Sequence, residues 1–154
     1  MGKPVTINAK IVEALYCEAL VLSDEVRHAF CVSAQATPPG PGEDMNRIAL
    51  SCEGLRTTTR MVQAIGWLLN RRAHLLGELS EFHLRRHGRL SGDARGSDPQ
   101  QLALLEPHVR DLVEMTTRFY ERLLRLDNAW HAARSSQPTA IDRLRERLEQ
   151  RLAS

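Results

Sequence analysis

Aromatic residues are scarce in this chain: two tryptophans, two tyrosines and three phenylalanines make up 5% of 154 residues. Sheets favour aromatic and β-branched residues, so this scarcity argues against a β-sandwich. Cysteine is limited to Cys17, Cys31 and Cys52. An odd, scattered set without a CxxC pair predicts neither a disulfide framework nor a zinc knuckle, and it suits a reducing cytosol. No apolar run approaches the ~20 residues that span a bilayer. The opening MGKPVTINAK lacks the apolar core of a signal peptide, so a cytoplasmic protein with no membrane partner is expected. An excess of one charge is missing too: the formal net charge is +2, too small to point to nucleic acid without a concentrated basic stripe.

Catalytic signatures are also lacking. The chain has no GxSxG, no P-loop and no dinucleotide fingerprint, and Ser51-Cys52-Glu53 has no histidine at helical spacing to activate the thiol. No enzyme and no cofactor are expected. His83 and His87 stand at the i, i+4 spacing of helical ligands. Arg85, Arg86 and Arg89 surround them, and positive neighbours oppose a bound cation, so no metal is expected either.

What the chain does have is Leu, Ala, Arg and Glu in abundance, all strong helix formers. A first helix is predicted from Thr6 to about Ala36, with Thr6 or Asn8 as its cap and Val12, Leu15, Ala19, Leu22, Val26 and Ala29 on one face, broadened by Ile11 and Phe30. The segment Thr37 to Gly42, TPPGPG, ends it. A second helix runs from near Asp44 to Gly77 or Ser80 and carries two apolar rows. Ile48, Cys52, Leu55, Thr59, Val62, Gly66, Leu69, Ala73 and Leu76 alternate steps of four and three and are expected to face the core, Cys52 among them. Met61, Ile65, Leu68 and Leu75, with Trp67 beside them, form the second row, which is expected to face a partner or a second copy.

Glu81 to Gln100 reads as a long polar loop with one possible turn at Phe82 to Arg86. Asp98 and Pro99 then signal a cap and a first helical residue. A broken third helix follows. Its main part runs from Pro107 to Arg134, and its row is Leu102, Leu105, Val109, Leu112, Thr116, Phe119, Leu123, Leu126, Trp130 and Ala133. The expected architecture is all-α, an elongated antiparallel three-helix bundle over residues 1–134. Residues 135–154 would be a short amphipathic tail, flexible or weakly docked, with Ile141, Leu144, Leu148 and Leu152 on its apolar side.

The basic set Arg71, Arg72, Arg85, Arg86 and Arg89, extended by Arg95, gathers at one end, where it reads first as a solvated cap and loop and otherwise suits an anionic partner. Protein is favoured over nucleic acid there, because no stacking aromatics accompany the arginines. Thr57, Thr58 and Thr59, with Glu53, Arg56, Arg60 and Gln63, form a polar belt across the second helix that reads as intrahelical bonding or as a recognition patch.

The run LSCEGLRTTTRMVQAIGWLLNRRAHLLGELS over Leu50 to Ser80, preceded by EALVLSDEVRHAF over Glu18 to Phe30, resembles the bacterial family of regulators of CtrA degradation, the RcdA family. The resemblance implies a helical bundle that tends to dimerise and acts as a non-enzymatic adaptor. With a response-regulator partner, such an adaptor presents cell-cycle regulators, transcription-factor cargo, to the ClpXP protease, and its C-terminal tail is linked to delivery. The alternative is a DNA-associated or structural helical dimer that regulates without protease delivery.

Overall fold

The computed structural model describes residues 8–36, 40–92, 96–136 and 139–152. Every regular element among them is a helix: α1 (Ala9–Ala36), α2 (Glu43–Leu75), α3 (Glu81–His87), α4 (Pro99–Leu102), α5 (Pro107–Ser135) and α6 (Ala140–Leu152). The caps follow local chemistry. Asn8 accepts the Lys10 N–H at 2.9 Å and begins α1, while Thr6 and residues 37–39 of the proline-rich linker lie outside the described residues. Gly77 takes a left-handed φ of 77° just past the end of α2, a conformation that suits glycine because it has no Cβ to clash. Asp98 accepts the Gln100 N–H and caps α4, as expected.

The stretch expected to be a loop contains α3. The Ser80 hydroxyl accepts the His83 N–H at 3.2 Å, Glu81 lies in the first turn and basic residues fill the last, the polarity that a helix dipole favours. One full turn was legible around Phe82. Seven residues are too short for hydrophobic periodicity to reveal the remainder.

The long helices α1, α2 and α5 pack on one another. Val12, Leu15, Ala19 and Leu22 of α1, Met61, Ala64, Trp67 and Leu68 of α2, and Phe119, Tyr120, Leu123 and Trp130 of α5 form the main core. A second cluster, Ala49, Leu50, Leu105, Val109 and Val113, closes the other end. The predicted rows of α1 and α5 thus face inward, although Ile11, expected to broaden that of α1, is exposed and Leu102, Leu112, Leu126 and Ala133 are half-buried.

Chain direction departs from the antiparallel expectation. Glu13 of α1 pairs with Arg72 near the end of α2, and Phe30 lies against Gly54 nearer its start, so α1 runs opposite to α2. Arg60 meets Thr116, Gln63 meets Tyr120 and Trp67 meets Asp127, so α5 runs parallel to α2. A parallel neighbour requires the chain to return along the bundle. Residues 88–92 and 96–105 do this, touching Arg71 at Gly88, Tyr120 at Ser91, Glu53 at Asp98 and Arg56 at Gln101. The described parts of the long connection therefore form a structural strut tied to both parallel helices.

Candidate functional site

Helix α2 is reversed relative to the expectation. Met61 is 2% exposed, Trp67 3% and Leu68 0%, with Ile65 packed against them. Of the proposed partner surface Met61, Ile65, Trp67, Leu68 and Leu75, only Leu75 is exposed; the others belong to the core. The row assigned to the core faces solvent instead: Ile48 is 54% exposed, Leu55 71%, Val62 64%, Leu69 43% and Leu76 67%. Cys52 is half-buried on this outer side and is not a core residue.

The cause lies in what α2 buries alongside its apolar residues. Its inner face includes Glu53, Thr57, Arg60 and Arg71, all below 5% exposure. Hydrophobicity alone therefore ranks the outer row as the better core. Buried polar groups are tolerated when they have partners, and here those of Arg60, Arg71 and in part Glu53 come from distant segments, while Thr57 Oγ1 and Glu53 Oε2 have none among the described residues. Arg60 donates to Thr116 Oγ1 at 2.9 Å. Glu53 accepts from Arg56 and from the Asp98 N–H. The polar belt is thus a tertiary seam on its inner side, with Thr58 and Thr59 exposed on its outer side.

The outer row has a regular design. Its large members, Ile48, Leu55, Val62, Leu69 and Leu76, alternate with the small Cys52, Thr59, Gly66 and Ala73. The pattern persists for about four heptads, the length at which it indicates a coiled-coil seam. A Cβ built on Gly66 meets nothing within 4 Å, so the groove between the large side chains is open.

The end of α2 holds the other assembly. Asp127 is 0% exposed, and no feature of the sequence singled it out. Its Oδ1 accepts from Trp67 Nε1 at 3.0 Å and from Arg71 Nη2 at 2.9 Å. Its Oδ2 accepts from Arg89 Nε at 3.1 Å and from the Leu90 N–H at 3.3 Å. The Trp67 and Trp130 rings stack at 5.3 Å with planes 6° apart, and the Arg71 guanidinium lies over both. Burial pulls the Arg71 pKa down, Asp127 opposes that pull, and Arg134 and Arg89 add to it. Arg71 is therefore a buried structural cation and cannot belong to a solvent-facing basic stripe.

The remaining members of the basic set diverge, apart from Arg95, which lies outside the described residues. Arg72 pairs with Glu13 and lies over the Tyr16 ring. Arg86 is exposed. Arg85 and Arg89 turn, with Arg71, toward a pocket of about 250 Å³ that Arg134 and His131 also line. His83 and His87 stand 5.0 Å apart on exposed α3. Among the described residues no group of three or more His, Cys, Asp or Glu could hold a metal ion. On α6, Ile141, Leu144, Leu148 and Leu152 are all exposed, as is every other described residue of that helix.

These features define an all-α protein in which one long helix offers a heptad row to solvent and hides a charged network behind it. Among the described residues no helix is long and apolar enough to cross a membrane. The chain belongs to the DUF1465 family, described as a protein of unknown function, whose profile matches residues 4–152. No curated protein and no solved structure matches it.

Proposed function

We propose that this protein is a non-enzymatic adaptor that pairs with a second copy through the outer row of α2. Helped by a response-regulator partner, it would deliver a CtrA-like regulator to ClpXP. The observation that carries the reading is the exposed heptad row; the protease and cargo rest on the resemblance of Leu50 to Ser80 to the RcdA family.

The second copy is favoured because the row is self-complementary in the antiparallel sense. Set two-fold about the middle of α2, Ile48 faces Ala73, Leu55 faces Gly66, Val62 faces Thr59 and Leu69 faces Cys52. Each of these four large side chains meets a small one, the alternation that lets facing layers interdigitate, while Leu76 faces Met45 at the outer ends of the pair. A parallel pair would stack large on large and leave gaps at the small layers. Each large side chain, once fully buried, contributes roughly 1.5–3 kcal/mol, and the two-fold doubles the set. The apolar side of α6 is then left for protease or cargo.

The test has two arms. Sedimentation of the intact chain and of Val62→Asp/Leu69→Asp, with circular dichroism, should show a dimer that becomes a helical monomer; a variant that still dimerises removes the proposed interface. Pull-down with purified ClpX and a response regulator should recover both with the intact chain and less with Ile141→Asp/Leu148→Asp. Failure to recover either leaves a structural dimer without delivery.

A further inference from the structure

We infer that the pocket bounded by α3, α5 and Thr139 is a binding site for a small molecule carrying a phosphate or diphosphate group. This inference is independent of the adaptor reading. The pocket measures about 250 Å³ and is lined by Arg71, Arg85, Arg89, Arg134 and His131, with Leu84, Ser135 and Thr139 completing it; among the described residues no carboxylate lines it. Four guanidinium groups converge there, and their carboxylate partners are too few. Asp127 is shared by Arg71 and Arg89, and Glu81 is shared by Arg85 and Arg134. Among the described residues the four guanidinium groups thus share two carboxylates, with a third, Asp142, held by the Thr139 N–H and hydroxyl at the rim, and the remaining positive charge suits a phosphate.

Arg71 supplies the second observation. Its side chain is 5% exposed, and its Nη2 is committed to Asp127 and to the Gly88 carbonyl oxygen. Its Nε is buried with no partner among the described residues. An unmade hydrogen bond on a buried donor is costly, so the protein compensates the Arg71 guanidinium incompletely, which favours further negative charge in the pocket that Arg71 lines. Guanidinium groups suit phosphate because their planar donors match its oxygens two at a time. The recess between helices selects a small molecule over a nucleic acid, whose phosphates need an exposed stripe.

The chain's two tryptophans provide the readout, since the Arg71 guanidinium carbon lies 5.0 Å from the Trp67 ring centre and 5.6 Å from that of Trp130. The full chain would be titrated with inorganic phosphate, pyrophosphate and ATP, at ionic strength matched with sodium chloride, following tryptophan fluorescence and calorimetric heat. A saturable response to pyrophosphate with Kd below about 1 mM is expected. If ATP also binds, the ligand is a nucleotide; if it does not, the ligand is a smaller phosphate compound. Arg85→Gln should weaken binding about tenfold, the usual scale for a lost charge-assisted contact. Ser135→Glu, which places a carboxylate at the exposed rim, should abolish binding while circular dichroism stays unchanged. No saturable response to pyrophosphate, or one that both folded variants retain, overturns the proposal.

Discussion

Arg71 and Asp127, 56 residues apart in the chain, meet at 2.9 Å with both side chains at or below 5% exposure. This pair joins α2 to α5, and Arg89 and the Leu90 N–H bring the return strut to the same carboxylate. Asp127→Ala would strand a buried guanidinium. Breaking a buried pair on one side costs about 3–5 kcal/mol, so the denaturation midpoint should fall sharply. The double variant Asp127→Leu/Arg71→Met should recover part of the loss, because it leaves no buried lone charge; Arg89, which also loses its partner, is half-exposed and can be solvated. A double variant as unstable as the single would refute the view that the cost comes from an uncompensated ion.

The outer row gives the opposite expectation. Leu55→Gln and Val62→Gln alter side chains that are 71% and 64% exposed, so each should change monomer stability by no more than about 0.5 kcal/mol. Dimer dissociation should nevertheless strengthen markedly. Equilibrium sedimentation compared with urea denaturation below the dissociation concentration separates the two effects.

Two glycines should respond in opposite directions to the same substitution. Gly66 is helical, exposed and unobstructed, so Gly66→Ala should stabilise the monomer by about 0.5–1 kcal/mol through helix propensity. Gly88 is buried, and a Cβ there would come within 2.4 Å of the Leu84 carbonyl oxygen. Gly88→Ala must displace the end of α3, whose neighbouring carbonyl serves Arg71, and should cost about 1–3 kcal/mol. Thermal denaturation of both variants checks the contrast.

Glu81 and Tyr120 set pH limits at opposite ends. The hydrogen bond from Arg134 holds the Glu81 pKa below its ordinary 4.5. A carboxylate lowered on folding contributes stability that is present above pH 4.5 and lost as pH falls through the folded value. Burial holds the Tyr120 phenol above its ordinary 10.0, and its hydroxyl lies 2.8 Å from the Ser91 carbonyl oxygen. A phenol raised on folding contributes stability that is present below pH 10 and lost as pH rises through the folded value. Denaturation midpoints across pH should show that Glu81→Gln differs from the parent mainly above the acid limit, and Tyr120→Phe mainly below the alkaline one. Differences that do not change with pH would exclude these titrations.

The legibility of each helix in the sequence depended on what it buries. The faces of α1 and α5 could be read because they bury mostly apolar rows, Val12 to Ala29 and Leu105 to Trp130. On α2 the same reasoning chose the wrong side, since its inner face holds Glu53, Thr57, Arg60 and Arg71. Polar groups look like surface until their partners are known, and Thr116, Asp127 and Asp98 lie 45 to 56 residues away in the chain. Arginines 71, 85 and 89 were legible as a basic group. Their convergence with Arg134 and His131 was not, because it needs α3 folded against α5.

The sequence by itself determined that the chain is helical, where the long helices lie and which faces of α1 and α5 are inside, since periodicity and caps are local properties of neighbouring residues. It also determined that α2 carries two apolar rows. Tertiary structure decided which row is core, that α5 runs parallel to α2, and that Asp127 lies at the centre of the buried network. Each of these depends on where a polar group finds its distant partner, and desolvation makes that choice decisive: a buried charge must be paired, whereas an exposed leucine costs the monomer comparatively little.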